Sequence, residues 1–197
     1  MVFASAFKVY TGFSSRRFTS DMREVRDMGL ISSTPHFNSV SNYLANPELT
    51  PILKSLVTLS SLPLKAVEND FAVDSSGFST SRFVKWFNKK YGREIDNQEW
   101  VKVHLMAGVQ THIVSSVEIS GWAANDTTFF QPLVEATAKH FQIAEVSADK
   151  AYTSRKNLDQ VAQLGATPYI PFKSNVLEPT DNSSWAKQRR HGQRSAL

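Results

Sequence analysis

The sequence predicts an α/β protein, a mixed sheet flanked by helices and preceded by a small helical segment. Up to about residue 62, apolar side chains recur at three- and four-residue spacing between helix start and stop signals. From Phe71 the period drops to two. Later strand-like runs alternate with helix-like ones, which implies parallel pairing beside an antiparallel ribbon. These shifts divide the chain into a helical segment, residues 1–66, and a sheet domain, residues 67–197.

In the helical segment, Ser20 is placed to cap a helix whose Met22, Val25 and Met28 share a face, with Gly29 as its stop. Thr34-Pro35 and Thr50-Pro51 each pair a capping hydroxyl with proline at the first helical position, where its missing N–H costs nothing. Phe37, Val40 and Leu44 form the apolar face of the first of these two helices. Ile52, Leu53, Leu56 and Val57 form that of the second, which should end before Pro63. Arg16, Arg17, Arg23 and Arg26 are interleaved with Asp21, Glu24 and Asp27, the pattern of a solvated helix face.

The sheet domain opens with the apolar run Phe71-Ala72-Val73, which ends at Asp74 and is followed by the turn-like Ser75-Ser76-Gly77. Between 101 and 119, Val101, Val103, Leu105, Val109, Ile113, Val117 and Ile119 fill odd positions while Lys102, His104, Gln110, His112 and Glu118 fill even ones. Such alternation predicts paired strands, with Ala107-Gly108 as a turn or bulge. Asn125-Asp126 introduces a helix with Phe130, Leu133, Val134, Thr137 and Phe141 on one face, its start blurred by Pro132. Ile143 to Ala148 is a second apolar run that ends in a carboxylate, Asp149. A helix capped by Ser154, carrying Leu158, Val161 and Ala162 and stopped at Gly165, leads to a last strand through Tyr169-Ile170-Pro171-Phe172.

Composition narrows the chemistry. With 197 residues, 41% of them hydrophobic, the chain has material for a core, and without cysteine it holds neither a disulfide scaffold nor a thiolate nucleophile. No apolar run is long enough to span a bilayer and no leader is evident, so a soluble, intracellular protein with no membrane partner is expected. The 22 basic and 18 acidic residues are unevenly placed. Lys187, Arg189, Arg190 and Arg194 follow Trp185 with no acid among them, and the rest of the chain is balanced. A basic tail of this kind suits phosphates, and equally a solvated terminus.

Metalloprotease, phosphate-loop and nucleophile-elbow motifs are absent. His104 and His112 fall in predicted strands, where a hydrogen-bonded histidine is commoner than a metal ligand. What stands out is the pair Asp74 and Asp149, each at the end of a hydrophobic strand. A carboxylate there is either hydrogen-bonded to a turn or bound to a cation. Two in one sheet, all-oxygen and without cysteine, suit magnesium or manganese and in-line attack on phosphodiesters. The competing reading is structural, with Asp74 bonded to the amides of Ser76 and Gly77 and Asp149 capping the next helix.

Five blocks occur in an order that resembles the catalytic domain of DDE-class insertion-sequence transposases. They are Phe71-Ala-Val-Asp-Ser-Ser-Gly-Phe-Ser-Thr80; Lys102-Val-His with Gly108 and Thr111-His-Ile; Asn125-Asp126; Ser147-Ala-Asp-Lys-Ala-Tyr-Thr-Ser154; and Gly165 with Pro168-Tyr-Ile-Pro-Phe-Lys173. Upstream, Tyr10–Arg17, Thr19–Arg23 and Pro35-His-Phe-Asn also resemble the segment before that domain. The resemblance implies a ribonuclease-H-like fold for residues 67–197, with Asp74 and Asp149 as the first two acids of a catalytic triad holding divalent Mg or Mn. It further implies hydrolysis of DNA and strand transfer into target DNA, a homo-oligomer in the transposition complex, and a cytoplasmic, nucleoid-associated location. Lys150, Arg155 and Lys173 stand beside motif residues and are expected to contact phosphates.

One departure bears on activity. The family's third acid is a glutamate on a helix well beyond the Pro-Phe-Lys block, and the only acids after Asp149 are Asp159, Glu178 and Asp181, none in a matching place. The expectation is therefore a C-terminally incomplete domain whose cleavage and strand transfer are impaired. The alternatives are a DNA-binding remnant that cuts nothing and a nuclease of the same fold with another role.

Overall fold

The computed structural model describes residues 1–79 and 100–172, and within it the chain forms two compact units, 1–56 and 57–197. The first unit contains α1 (Val2–Thr11), α2 (Ser15–Asp27), α3 (Phe37–Leu44) and the first turns of α4 (Leu49–Ser61). Its core is small: Ala4, Phe18, Met22 and Val40, with Phe7 and Ile31 packed against them.

Several boundaries differ from the sequence expectation. α1 had no sequence signal of its own. α2 starts at Ser15, with Ser14 in the N-cap position but making no side-chain capping bond, one turn or more before Ser20. Phe18 lies one turn before Met22 and is buried, and burying an aromatic side chain stabilises by about 1.5–3 kcal/mol, more than a single cap provides. α3 is capped by His36 instead of Thr34, the Asn38 amide donating to His36 Nδ1 at 3.2 Å. α4 begins at Leu49, after Asn46 Oδ1 accepts the Glu48 amide at 3.0 Å, so Pro51 sits inside the first turn, where no hydrogen bond is lost. It does end before Pro63. Its expected apolar face is open, however, with Ile52, Leu53 and Leu56 exposed, and Met28 and Leu44 are exposed as well. Arg16, Arg17, Arg23 and Arg26 are exposed along α2, as a solvated face requires.

The second unit holds a five-stranded sheet of order β3-β2-β1-β4-β5. β1 (Asp70–Ser79), β2 (Trp100–Gly108) and β3 (Val114–Gly121) are antiparallel, and β4 (Glu145–Ala148) and β5 (Thr167–Tyr169) join parallel to β1. α5 (Thr127–Ala138) links β3 to β4, and α6 (Arg155–Gln163) links β4 to β5. This is the predicted order of elements, with Pro168 tolerated because β5 is an edge strand. Gly165, the expected stop after α6, has a φ of 74°, as Gly29 after α2 has one of 77°.

Partners across the ladders share a face, so Phe71, Val73, Met106 and Val146 point the same way. They form one core with Phe130, Leu133 and Val134 of α5 and Leu158 and Val161 of α6. That core corrects the reading of β2, whose buried positions are even, His104, Met106 and Gly108, while the apolar odd positions are only half covered. The expected bulge falls at Met106/Ala107, opposite which Ser115 is skipped. Both serines beside the bulge then reach α5: Ser115 Oγ lies 2.8 Å and Ser116 Oγ 3.0 Å from Thr137 Oγ1, and Ser116 also donates to the Leu133 carbonyl. Two further expectations are corrected. Ser75-Ser76-Gly77 is strand, held by β2, and His112 lies in the β2–β3 turn with a φ of 57° instead of in a strand.

Candidate functional site

The last parallel pair between β1 and β4 is Val73 with Ala148. Asp74 and Asp149 are the next residue on each chain. Neighbouring strands are about 4.8 Å apart, a spacing at which two carboxylates can reach one cation. Both residues are exposed, although the apolar strands before them are buried. Each is oriented by a local amide: Ser75 N donates to Asp74 Oδ1 at 2.7 Å, and Ala151 N donates to Asp149 Oδ1 at 2.8 Å. Asp149 thus caps the 3-10 turn Lys150–Tyr152, as the structural reading expected, while Asp74 bonds Ser75 instead of Ser76 and Gly77.

Tyr152 closes that turn, 1% exposed, its ring 6.0 Å from Phe130. Burial pushes its phenol up to about 12, the Ser75 hydroxyl works against that, and the charges of Asp126, Asp74 and Asp149 add to it. The phenol therefore stays protonated at neutral pH. The turn is braced from behind, where Asn157 Nδ2 donates to the Tyr152 carbonyl at 2.8 Å and Thr127 Oγ1 to the Ala151 carbonyl at 2.6 Å.

Asp126 is not equivalent to the other two. Lys102 Nζ lies 3.0 Å from its Oδ1 and donates to the Ala124 carbonyl at 3.2 Å, tying β2 to the start of α5. His104, two residues along the same face, places Nδ1 3.9 Å from the same oxygen and Nε2 2.9 Å from Ser120 Oγ, and stacks on Phe129 at 4.2 Å. Burial lowers the His104 pKa, with Lys102 adding to the effect and Asp126 and Glu118 opposing it. His104 is thus the hydrogen-bonded sheet histidine that was expected. The ion pair was missed, although Lys102 and His104 at alternate strand positions already pointed to one side.

Lys150 and Arg155 are exposed, in the turn after Asp149 and at the start of α6. Lys173, Glu178, Asp181 and the basic tail from Trp185 through Lys187, Arg189, Arg190 and Arg194 lie outside the described residues. Among the described residues no group of three or more His, Asp or Glu could hold a metal, so Asp159 in α6 does not complete a triad. A family model described as the transposase DDE domain matches residues 65–196.

The chain belongs to the transposase DDE domain family.

The match covers about two thirds of the chain, from the approach to β1 onward, and the mixed sheet is the ribonuclease-H-like fold of DDE domains. Membership gives this transposase chain a role in DNA transposition. No curated protein matches it. Among the described residues, no helix of this DDE domain protein is long and apolar enough to cross a membrane.

Proposed function

We propose that this chain carries out metal-dependent phosphodiester cleavage and strand transfer on DNA, impaired because no third acid stands in the family's place, with Asp74 and Asp149 as ligands of a divalent ion, Mg or Mn. The register of β1 and β4, which brings the two aspartates level at the end of the parallel ladder, carries the reading. The donor set fits such an ion, because magnesium retains several waters and is commonly held by one or two carboxylates plus substrate phosphates. Bound there, the ion supplies the Lewis-acid charge that in-line phosphoryl transfer needs.

The chain's own groups then have separate tasks. Asp74 and Asp149 each commit one oxygen to a backbone amide, which fixes the rotamer, and the other accepts nothing from the described residues. Lys102 neutralises Asp126, removing a negative charge from the approach of an anionic backbone. Lys150 and Arg155, with Lys173, contact phosphates flanking the scissile bond. DNA is the partner, transposon ends and target alike, acted on by a homo-oligomer.

The test is nicking of supercoiled DNA with Mg²⁺ or Mn²⁺, alongside direct Mn²⁺ binding. Asp74→Asn and Asp149→Asn should each abolish nicking and weaken Mn²⁺ binding by at least about tenfold, about 1.4 kcal/mol. Nicking that persists in both variants would sink the assignment. Salt-sensitive DNA binding without any nicking by the unaltered chain would favour a non-catalytic role instead.

A further inference from the structure

The two aspartates are not held equally well. Asp74 lies inside a ladder, opposite Leu105 of β2, so the sheet fixes its backbone. Asp149 lies beyond one. β4 makes its last pairs at Ala148 with β1 and at Ser147 with β5, and Asp149 then leads into the 3-10 turn Lys150–Tyr152. A short 3-10 turn has weaker hydrogen-bond geometry than an α-helix, and the capping bond from the Ala151 amide is internal to it. Neither sets where Asp149 stands relative to β1. A fixed point outside the turn has to do so.

The start of α5 supplies it. Asp126 occupies the N-cap position, yet its side chain makes no capping bond, and its Oδ1 takes Lys102 Nζ at 3.0 Å instead. Lys102 also donates to the Ala124 carbonyl at 3.2 Å, so the approach to the helix is pinned to β2 at two points. Thr127 turns its hydroxyl away from its own helix as well. A threonine hydroxyl at a helix end commonly bonds a backbone group a few residues away, as Thr128 Oγ1 does with the Asn125 carbonyl at 2.7 Å. Thr127 Oγ1 donates to the Ala151 carbonyl, 24 residues along the chain, at 2.6 Å. Ala151 is the residue whose amide orients Asp149. Since β2, β1 and β4 are consecutive in the sheet, the line Lys102–Asp126–Thr127–Ala151 bridges two strand spacings, about 10 Å. Asn157 braces the turn too, but from α6, the helix into which the turn runs.

We propose that Thr127 is a positioning residue for Asp149: through its hydroxyl, the start of α5, anchored by Lys102, sets the separation of the two carboxylates and with it the affinity for a divalent ion. Thr127 acts through Ala151, not on the ion. This rests on the reading of Asp74 and Asp149 as metal ligands, and the experiment separates the two claims. Calorimetric titration of the full chain with Mn²⁺, without DNA, gives the affinity, and Tm in metal-free buffer is measured beside it. Thr127→Val keeps the shape of the side chain and removes the hydroxyl. It should weaken Mn²⁺ binding about tenfold, the lower end of what residues behind metal ligands contribute, while Thr127→Ser should stay within about threefold of the unaltered chain. Thr127→Ala, which also lacks the hydroxyl, gives the same reading should valine disturb the fold. Thr128→Val removes the neighbouring hydroxyl, whose bond stays within the helix start, and should bind Mn²⁺ as the unaltered chain does. Unchanged affinity in Thr127→Val and Thr127→Ala, or an equal loss in Thr128→Val, overturns the positioning role and leaves the metal site standing. Absence of Mn²⁺ binding by the unaltered chain, or binding that Asp149→Asn leaves intact, overturns both.

Discussion

The two ends of β1 treat a carboxylate in opposite ways. Just before the strand, Glu68 is 1% exposed and its Oε2 accepts the Thr111 amide at 2.8 Å, the Thr111 hydroxyl at 2.8 Å and the Gln110 amide at 3.2 Å. At the other end Asp74 is exposed and accepts one amide from its own neighbour. Glu68 is committed to structure, closing the β2–β3 turn onto the entrance of β1. Asp74 keeps oxygen lone pairs for something outside the chain. Carboxylates flanking one short stretch of chain are sorted by how many fixed donors surround them, and Asp74, with one, is the one suited to a ligand.

The largest effects should come from the closed end. Gly108 lies against Glu68 so closely that an added Cβ would stand 2.3 Å from Oε2. Gly108→Ala should cost about 1–3 kcal/mol through overpacking. Glu68→Ala should cost about 3 kcal/mol, since two amides and a hydroxyl lose their buried acceptor. Because the two residues are in contact, the double variant should be less destabilised than the sum, by about 1 kcal/mol or more. Urea denaturation of the four proteins measures this. Strict additivity would mean that the close approach is not what makes glycine necessary there.

At the open end the expected effect on stability is much smaller. Asp74→Asn should change unfolding free energy by no more than about 0.5 kcal/mol, as for an exposed residue with one local hydrogen bond. The variant should lose any rise in Tm that Mn²⁺ gives the unaltered chain, a rise that at a hundredfold excess over Kd corresponds to about 2.7 kcal/mol. A loss of stability comparable to that of Glu68→Ala would place Asp74 with the structural carboxylates and erase the contrast.

The sequence showed the open end better than the closed one. Phe71-Ala-Val-Asp and Val146-Ser-Ala-Asp149 are local patterns, legible because a buried strand and the acid that ends it are consecutive. Glu68 reaches residues more than forty positions away, and the Lys102–Asp126 pair spans 24, contacts that no local period encodes. Parity in β2 misled for a related reason. His104 is polar by type, yet it is buried because Ser120 accepts or donates at one nitrogen and Phe129 covers its ring. Helix starts in the first unit were misplaced where a buried aromatic, Phe18, or an unanticipated cap, His36, outweighed the hydroxyl signal.

The smallest expected effect concerns His104, which lies between these two ends on the buried face. Its pKa in the folded protein is below the ordinary 6.5, chiefly because burial disfavours the imidazolium. The unfolded chain therefore takes up the proton more readily than the folded one. Its contribution to stability should be complete above pH 6.5, and should fall as the pH drops below 6.5 and through the lowered folded value. Lys102, Asp126, Glu118 and Ser120 face the ring, and only the two acids oppose the shift. His104→Gln keeps a partner for Ser120 and removes the titration, so its unfolding free energy relative to the unaltered chain should improve as the pH is lowered from 7.5 towards 5. Parallel pH profiles for the two proteins would show that the charges of Asp126 and Glu118 offset the burial of the ring, leaving its pKa the same folded and unfolded.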